Sequence, residues 1–259
     1  MQNRYFGDTG DFSKYGILHS AAQYMKRIGI LWCLTDDENH NNDGKHIAYL
    51  NTDKGHPFRA CDPELYDSLK TLLIDADGKI ITKNRRVALM SSLQILPNRT
   101  AFFEEMIPTH HDSKCRKNER EDWFQRARQT LQDCDLVFCD PDNGIEVASV
   151  SKRAKKQFKY IYWDELKTLW TDKKSLIIYQ HMQRDKLHLT QVHERCCQLV
   201  ERLGTDVVLP LTCPRGTVRT YFLIPQPRHN KCFAKIYKEM TGKRWSHHIK
   251  PWCHDKEPC

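Results

Sequence analysis

A short apolar run that ends abruptly in acids, a proline and a turn constrains this chain more than any other feature. Residues 136–139 are Leu-Val-Phe-Cys, a continuously apolar stretch that is typical of a strand buried on both faces of a parallel sheet. Residues 140–146 follow directly and read Asp-Pro-Asp-Asn-Gly-Ile-Glu. Because ligands bind at the carboxyl edge of open α/β sheets, this loop predicts a functional site. The alternative is a turn whose residues serve only its backbone conformation.

Apolar strands and amphipathic helices alternate along most of the chain. The predicted helices cover residues 12–25, 62–73, 86–96, 117–132 and 187–203. The predicted strands cover residues 28–34, 136–139, 175–179, 207–211 and 218–224. This alternation predicts a doubly wound α/β domain with a mostly parallel sheet. A turn at residues 213–216, which contains Pro and Gly, predicts that the sheet ends in an antiparallel pair.

Length and cysteine usage limit the kind of protein. At 259 residues the chain can bury a sizeable core, and we favour a single α/β domain over residues 1–259. Residues 240–259 then form a basic, aromatic and Cys/His-containing C-terminal extension, without a recognisable zinc spacing, so no metal site is predicted. Eleven cysteines occur without a Cys-x-x-Cys pair or a secretory signal. We therefore expect reduced thiols in a soluble, cytoplasmic protein.

The charge balance points to a polyanionic partner. The formal net charge is +8, which favours nucleic acid, either RNA or DNA, over a membrane. No apolar run approaches the ~20 residues that a membrane-spanning helix needs. Of three basic clusters, the one that follows the acidic loop directly is the predicted nucleic-acid-binding segment. Its members are Lys152, Arg153, Lys155 and Lys156.

Three polar clusters fall where the predicted strands end. One follows Leu34 and contains a dense set of acids, amides and a histidine, and an ordinary acidic surface loop is its alternative interpretation. The candidate ligand-binding side chains in this first cluster are Asp36, Asp37, Asn39 and His40. The second cluster is the 140–146 loop, and the third is Tyr179-Gln180-His181. We expect these strand ends to converge on one crevice, with His181 beside the 140–146 loop.

The segment before the first helix is the fourth polar element. An N-cap formed by Asp11 is its simpler interpretation. Its spacing, Gly7-Asp8-x-x-Asp11-x-x-Lys14-Tyr15, resembles the Gly-Asn-x-x-Asp-x-x-Lys-His segment that opens the RlmJ-type adenine-N6 methyltransferases of large-subunit ribosomal RNA. In that family a strand with the first S-adenosylmethionine contacts follows, a later strand ends in Asp-Pro-Pro-Tyr, and the next ends in Tyr-Pro. This chain has the loop after Leu34, the 140–143 segment and Tyr179-Gln180 in the same order.

The resemblance implies a Rossmann-like, methyltransferase-type sheet and an S-adenosylmethionine-dependent enzyme that methylates an exocyclic amine of a base. In the family, the Asp at the strand end and the carbonyl of the following Pro accept hydrogen bonds from that amine. Asp140 and Pro141 match these two positions. Asn143 stands where the family usually has an aromatic that stacks on the base, and the glycine-rich first motif is missing. Lys14 would act at the catalytic centre, and the cofactor would contact Asp11, Lys14, His181 and the loop after Leu34.

Two other functions compete for the same residues. Pro141-Asp142 and the later Glu165-Leu166-Lys167 fit the Pro-Asp…(Asp/Glu)-x-Lys pattern of Mg²⁺-dependent nucleases. That pattern requires Glu165 and Lys167 to alternate on a strand, whereas residues 163–170 are more typical of the start of a helix. The third possibility is a catalytically silent nucleic-acid-binding or defence-associated module on the same fold.

Overall fold

A mixed sheet covered by helices on both faces forms the protein. The computed structural model describes residues 1–38, 44, 46–51, 57–81, 85–183, 186–215 and 217–252. The strands are β1 (Ile28–Trp32), β2 (Ala101–Phe103), β3 (Leu136–Asp140), β4 (Gly144–Ile145), β5 (Tyr160–Ile161), β6 (Ser175–His181), β7 (Leu209–Cys213), β8 (Arg219–Ile224) and β9 (Lys250–Pro251).

The α-helices are α1 (Thr9–Ala22), α2 (Pro57–Cys61), α3 (Pro63–Leu73), α4 (Ser113–Thr130), α5 (Trp163–Thr171), α6 (His188–Leu203) and α7 (Asn230–Met240). Short 3-10 helices cover Asn3–Tyr5, Ala48–Asn51, Val87–Leu93, Gln157–Lys159, Pro227–His229 and Lys243–Trp245.

The strand order confirms the predicted Rossmann-like α/β architecture. Within the described residues the main sheet has seven strands in the order β2-β1-β3-β6-β8-β7-β9, and β4 pairs with β5 separately. β2, β1, β3 and β6 run parallel to one another, and β8 pairs antiparallel with both β6 and β7. β3 therefore lies in the interior of the sheet with β6 beside it, as the apolar runs predict. Their carboxyl ends meet at one edge.

Two apolar layers hold the helices against the sheet. One layer includes Phe12 of α1, Leu65 of α3 and Phe233 of α7, and the other includes Trp123 of α4 and Leu199 of α6. Successive side chains of a strand point to opposite faces, so each central strand contributes to both layers. This arrangement places α1, α3 and α7 on one face and α4, α5 and α6 on the other.

Two predicted elements differ from the structure. Residues 86–96 were expected to be an α-helix, but only a 3-10 helix over Val87–Leu93 forms, and it ends at Gln94 in the left-handed conformation with φ 56°. The predicted strand 207–211 begins later, as β7, because the Thr205 hydroxyl bonds both the N–H and the carbonyl of Val207 in a turn. Both differences arise from local backbone bonding that apolar periodicity does not report.

The C-terminal segment packs into the domain as far as residue 252. Trp245, His248 and Ile249 are buried, and β9 pairs with β7 at the edge of the sheet. The region predicted as an extension thus contributes to the core, while residues 253–259 lie outside the described part of the chain. Among the residues that the structure describes, no helix combines the length and apolarity that crossing a membrane requires.

We predict that the pair of His19 and Asp62 makes stability depend on pH. His19 Nδ1 lies 2.7 Å from Asp62 Oδ2, and this hydrogen bond raises the pKa of His19 against the opposing effect of partial burial. Protonated His19 therefore stabilises the fold fully below its unfolded pKa of about 6.5, and the contribution is lost as pH rises through the higher folded pKa. The melting temperature should fall across that window, and His19→Gln should flatten the fall.

The exposed His111 provides a matched control, because it contributes no partner to the His19 pair. His111→Gln should leave the pH dependence of the melting temperature as it is in the parent protein. An unchanged profile in His19→Gln would show that the pair makes no such contribution.

Candidate active site

Because successive side chains alternate between the two faces of a strand, Asp140 lies on the face of β3 that α1 covers. Leu136 and Phe138 of β3 contact the same apolar layer as α1, and Asp140 is the next residue on that face. Trp32, the register partner of Asp140 on β1, belongs to the same layer. Asp140 therefore ends its strand facing Lys14, in the first half of α1.

Lys14 is held between two carboxylates inside the protein. Its Nζ lies 2.7 Å from Asp140 Oδ2 and 2.8 Å from Asp11 Oδ1. The exposed fractions are 3% for Lys14, 4% for Asp11 and 2% for Asp140, so all three groups are removed from bulk water. The Lys14 ammonium also lies 5.6 Å from the centre of the Trp32 ring, and Tyr15 donates its hydroxyl to Asp11 Oδ2 at 2.8 Å. The predicted convergence of Asp11, Lys14 and Asp140 is present in the structure.

Burial and pairing shift the pKa values of this cluster. Burial lowers the pKa of Lys14, but the charges and hydrogen bonds of Asp11 and Asp140 outweigh it, and the net pKa is raised. Burial raises the pKa of Asp140, and the Lys14 charge opposes that shift. Lys14 is therefore a permanent cation, and it occupies one carboxylate oxygen of Asp140. The other oxygen, Oδ1, has no hydrogen-bond partner among the described residues.

The cap of α1 is Asp8, which corrects the interpretation of Asp11 as the N-cap. Asp8 Oδ1 accepts from the amides of Gly10 at 2.7 Å and Asp11 at 3.0 Å. Asp11 is already inside the first turn of α1, so its side chain is available for Lys14 and Tyr15. The motif before the helix thus combines a cap at one acid with an ion pair at the other.

The second acid of the loop faces the amino end of the described chain. Asp142 Oδ1 lies 2.7 Å from the Met1 amino group, and its Oδ2 accepts from Gln2 at 3.0 Å. The Met1 amino group also donates to the carbonyls of Cys33 at 2.7 Å and Asp140 at 3.3 Å. These contacts lower the pKa of Asp142, although its burial opposes the shift.

Gln180 holds the acidic loop in position. Its amide oxygen accepts from the Ile145 N–H at 3.0 Å, and its amide nitrogen donates to the Asn143 carbonyl at 3.1 Å. Gly144 between them has φ 114°, and a Cβ at that position would lie 2.5 Å from the Gln180 Cδ. The third polar cluster therefore serves two purposes, because Gln180 orients the loop while His181 lines the adjoining cavity.

A cavity of about 370 Å³ opens at this edge of the sheet. It lies over the ends of β3 and β6 and the start of β8, and the N-terminal turn of α1 closes one side. Its size falls within the range of about 300–1,000 Å³ typical of small-molecule sites. The lining side chains that carry charge, hydrogen-bonding groups or rings include Tyr5, Asp8, Asp11, Lys14, Glu38, Asp140, Asp142, Asn143, Lys159, Tyr179, His181, Arg219 and Tyr221.

The loop after Leu34 contributes differently from the prediction. Asp36 and Asp37 are exposed and do not line the cavity, and Asp37 accepts instead from the Arg4 N–H at 3.1 Å. Asn39 and His40 lie outside the described residues. Glu38, which the sequence did not single out, lines the cavity and pairs with Lys159.

One member of the predicted basic segment is engaged in an ion pair, and the other three are exposed. Lys152 pairs with Asp164 at 2.5 Å and lies 5.4 Å from the centre of the Tyr162 ring, so its charge is already engaged. Arg153, Lys155 and Lys156 are exposed. The cation of this region that reaches the cavity is Lys159, which pairs there with a carboxylate.

The acids of the nuclease pattern do not meet in this cavity. Glu165 is 1% exposed, pairs with Arg120 at 2.7 Å and accepts from the Tyr162 N–H at the start of α5. Glu146 of the loop likewise accepts from the Trp163 N–H. Neither side chain lines the cavity that contains Asp142. Among the described residues, no group of three or more His, Cys, Asp and Glu side chains is arranged to hold a metal ion.

Sequence reasoning missed Arg219 and Tyr221, which line the cavity from β8. Their strand was predicted, and a charged residue at the start of an otherwise apolar strand was the available signal.

Comparison of the sequence with protein-family models and with curated proteins found no match.

We predict that Gly144→Ala destabilises the protein through its contact with Gln180. Overpacking of a well-filled site costs about 1–3 kcal/mol in addition to the strain of a positive φ. Gly78 is the matched control, because it also has a positive φ, 74°, but a Cβ there meets nothing within 4 Å. Urea unfolding should show a larger loss for Gly144→Ala than for Gly78→Ala. Equal losses would mean that Gln180 does not constrain the loop.

Proposed function

We propose that this protein is an S-adenosylmethionine-dependent methyltransferase that acts on an exocyclic amine of a nucleic-acid base. The observation that carries the proposal is the placement of Asp140 at the end of a central parallel strand, where Lys14 holds one carboxylate oxygen and the other has no partner among the described residues. A carboxylate oriented in this way is an acceptor for one hydrogen of an amine. The adjoining carbonyl of Pro141 accepts no hydrogen bond from the described residues, which leaves it for the second hydrogen.

The residues around the cavity fit the chemical groups of this cofactor. S-adenosylmethionine presents an ammonium, a carboxylate, ribose hydroxyls and a sulfonium, and the cavity offers carboxylates and cations in close alternation. Glu38, at the end of the segment after β1, is positioned to accept from hydroxyls, as an acid near a strand end does in other Rossmann-like sites. Asp140 and Asp142 supply negative charge that favours a sulfonium nearby.

The chain's own residues orient the acceptor and remove its proton. When bound, the cofactor supplies an electrophilic methyl group. Asp140 Oδ1 and the Pro141 carbonyl would each accept one hydrogen of the amine, which leaves the nitrogen lone pair directed away from both. Asp140 then accepts the proton that the nitrogen loses, and the raised pKa of this carboxyl makes it a better base. Lys14 keeps the carboxylate in place throughout.

Aromatic contacts to the base would come from another strand than the resemblance implies. Asn143 cannot stack on a base, but Tyr179 lines the same cavity, with its ring centre 6.0 Å from Lys14 Nζ. The half-buried Tyr5 lines the cavity as well. Stacking on such rings contributes about 1–3 kcal/mol per base in single-stranded nucleic-acid sites. The exposed Arg153, Lys155 and Lys156 add the positive charge expected near a nucleic acid.

The nuclease alternative has less support from the side chains. Its second carboxylate would be Glu165, which lies in the first turn of a helix and forms an ion pair with Arg120.

Removing one partner of such a buried pair typically costs about 3–5 kcal/mol. Glu165→Gln should therefore lower stability, as measured by urea unfolding, whether or not the protein cleaves nucleic acid. Glu121→Gln, whose parent side chain is partly exposed and pairs with Lys117 on α4, is the control that should change stability little.

Calorimetric titration with S-adenosylmethionine, repeated with Mg²⁺, tests the proposed function. We expect binding of the cofactor without added metal. Transfer of a labelled methyl group to pooled RNA and DNA fragments should then fall about 100-fold or more in Asp140→Asn. Lys14 keeps its ion pair with Asp11 in this variant, and the amide oxygen can still accept from Lys14. The variant should therefore remain folded, with a loss of about 1–3 kcal/mol.

Asp133→Asn is the matched control, because Asp133 is exposed and does not line the cavity. It should bind the cofactor and transfer methyl groups like the parent protein. Mg²⁺-dependent cleavage that disappears in Asp142→Asn but persists in Asp140→Asn would replace the proposal with the nuclease. Absence of both cofactor binding and cleavage would favour the catalytically silent module.

A further inference from the structure

Arg219 is a buried cation that forms no ion pair with an acid among the residues that the structure describes. It is 8% exposed at the start of β8 and lines the cavity. Its Nε donates to the Thr217 carbonyl at 3.0 Å, and its Nη2 donates to the carbonyls of Thr217 at 2.9 Å and Arg215 at 3.2 Å. These carbonyl contacts fix the plane of the guanidinium. Nη1 has no hydrogen-bond or ion-pair partner among the residues that the structure describes.

Among the described residues, the other strong cations that line the cavity are already paired with carboxylates. Lys14 is shared by Asp11 and Asp140, and Lys159 pairs with Glu38. The Met1 amino group pairs with Asp142. Buried charges in proteins are normally paired or hydrogen-bonded at each donor, so an unused nitrogen on a fixed, buried guanidinium indicates a ligand.

The backbone of α1 makes room for this nitrogen. A Cβ at Gly10 would lie 1.6 Å from Arg219 Nη1, so any larger residue at position 10 would displace the guanidinium. The amides of Gly10 and Asp11 are already bonded to Asp8, so these two backbone donors are not available to a ligand. Burial and the charge of Asp11 raise the pKa of the Asp8 carboxyl, and the charge of Arg219 partly offsets that shift.

We propose that Arg219 binds a phosphate group of the nucleic-acid strand whose base reaches Asp140. The inference rests on the proposed function for the identity of the ligand, because the guanidinium by itself selects any anionic oxygen group. β8 is separated from β3 by β6, and Arg219 pairs with His181, two residues beyond the level of Asp140. The usual strand spacing and rise then place the two backbones about 12 Å apart. That separation is comparable to the reach from a base to its own phosphate.

The position of Arg219 favours the substrate's phosphate over the cofactor's carboxylate. Glu38, the proposed cofactor contact, follows β1 on the far side of β3, whereas Arg219 lies beyond β6. Thr217, Arg219 and Tyr221 alternate along the start of β8 and all line the cavity. The Thr217 hydroxyl and the Arg219 guanidinium lie beside the half-buried Tyr179 ring of β6, and such a set suits a nucleotide better than it suits an amino-acid moiety.

Titration calorimetry with inorganic phosphate, and separately with S-adenosylhomocysteine, tests the assignment. We expect Arg219→Gln and Arg219→Lys to weaken phosphate binding at least tenfold and to leave the affinity for S-adenosylhomocysteine unchanged. Arg99→Gln is the matched control, because it removes one exposed arginine charge elsewhere and should retain phosphate binding. No binding of phosphate to the parent protein, or equal binding by the Arg219 variants, overturns the proposal. Loss of S-adenosylhomocysteine affinity in the variants, with phosphate binding intact, would assign Arg219 to the cofactor's carboxylate and also overturn it.

A measurement on the parent protein guards against variants that fail to fold. Crystals soaked in tungstate, a phosphate analogue with a strong anomalous signal, should show the anion within hydrogen-bond distance of Arg219 Nη1. An anion bound only elsewhere contradicts the proposal. Because S-adenosylhomocysteine is titrated separately, failure of the proposed function appears as no nucleoside binding, whereas failure of this inference appears as no anion at Arg219.

Discussion

A buried lysine held between two carboxylates is the interaction on which the rest of the site depends. Moving a charged side chain out of water costs several kcal/mol, and the carboxylates of Asp11 and Asp140 together offset that cost for Lys14. The cluster ties the first turns of α1 to the end of β3. It therefore fixes the direction in which Asp140 faces, and with it the cavity between helix and sheet.

The sheet and the acidic loop supply the rigidity that this charge cluster requires. Asp140 belongs to a strand that is paired on both sides, and Gln180 of the next strand bonds the loop that follows. Groups mounted on such elements are held more precisely than groups on mobile loops. Within the described residues, the cavity is left with an unpartnered acceptor on Asp140 and an unpartnered donor on Arg219. An amine and an anionic group are the complementary features of a ligand.

The sequence was sufficient to predict the features that depend on the order of elements along the chain and on the spacing of apolar residues. Apolar runs located the central strands, and the rule that parallel strands end at one edge brought Asp140 and His181 together. These are properties of single elements or of neighbouring strands, which periodicity reports directly. The family resemblance, not the spacing of apolar residues, grouped Asp11 and Lys14 at the predicted site.

Other parts of the site depend on contacts between distant segments, which the sequence did not reveal. The cap at Asp8 rather than Asp11 is decided by where the helix starts, a boundary that composition defines only loosely. Asp36 and Asp37 were expected at the cavity, but the chain turns there so that Glu38 faces it. Arg219 lies at the cavity because β8 is inserted between β6 and β7. The order of strands across a sheet depends on long-range pairing, which local sequence patterns do not reveal.

A crystal structure of the protein with S-adenosylhomocysteine would show where a ligand lies relative to the Lys14 cluster. We expect the nucleoside to occupy the cavity at the ends of β1 and β3, with its sulfur facing Asp140 and the ion pair from Lys14 to Asp140 intact. A ligand bound away from this cavity would contradict this expectation. The buried lysine would then serve only to join α1 to the sheet.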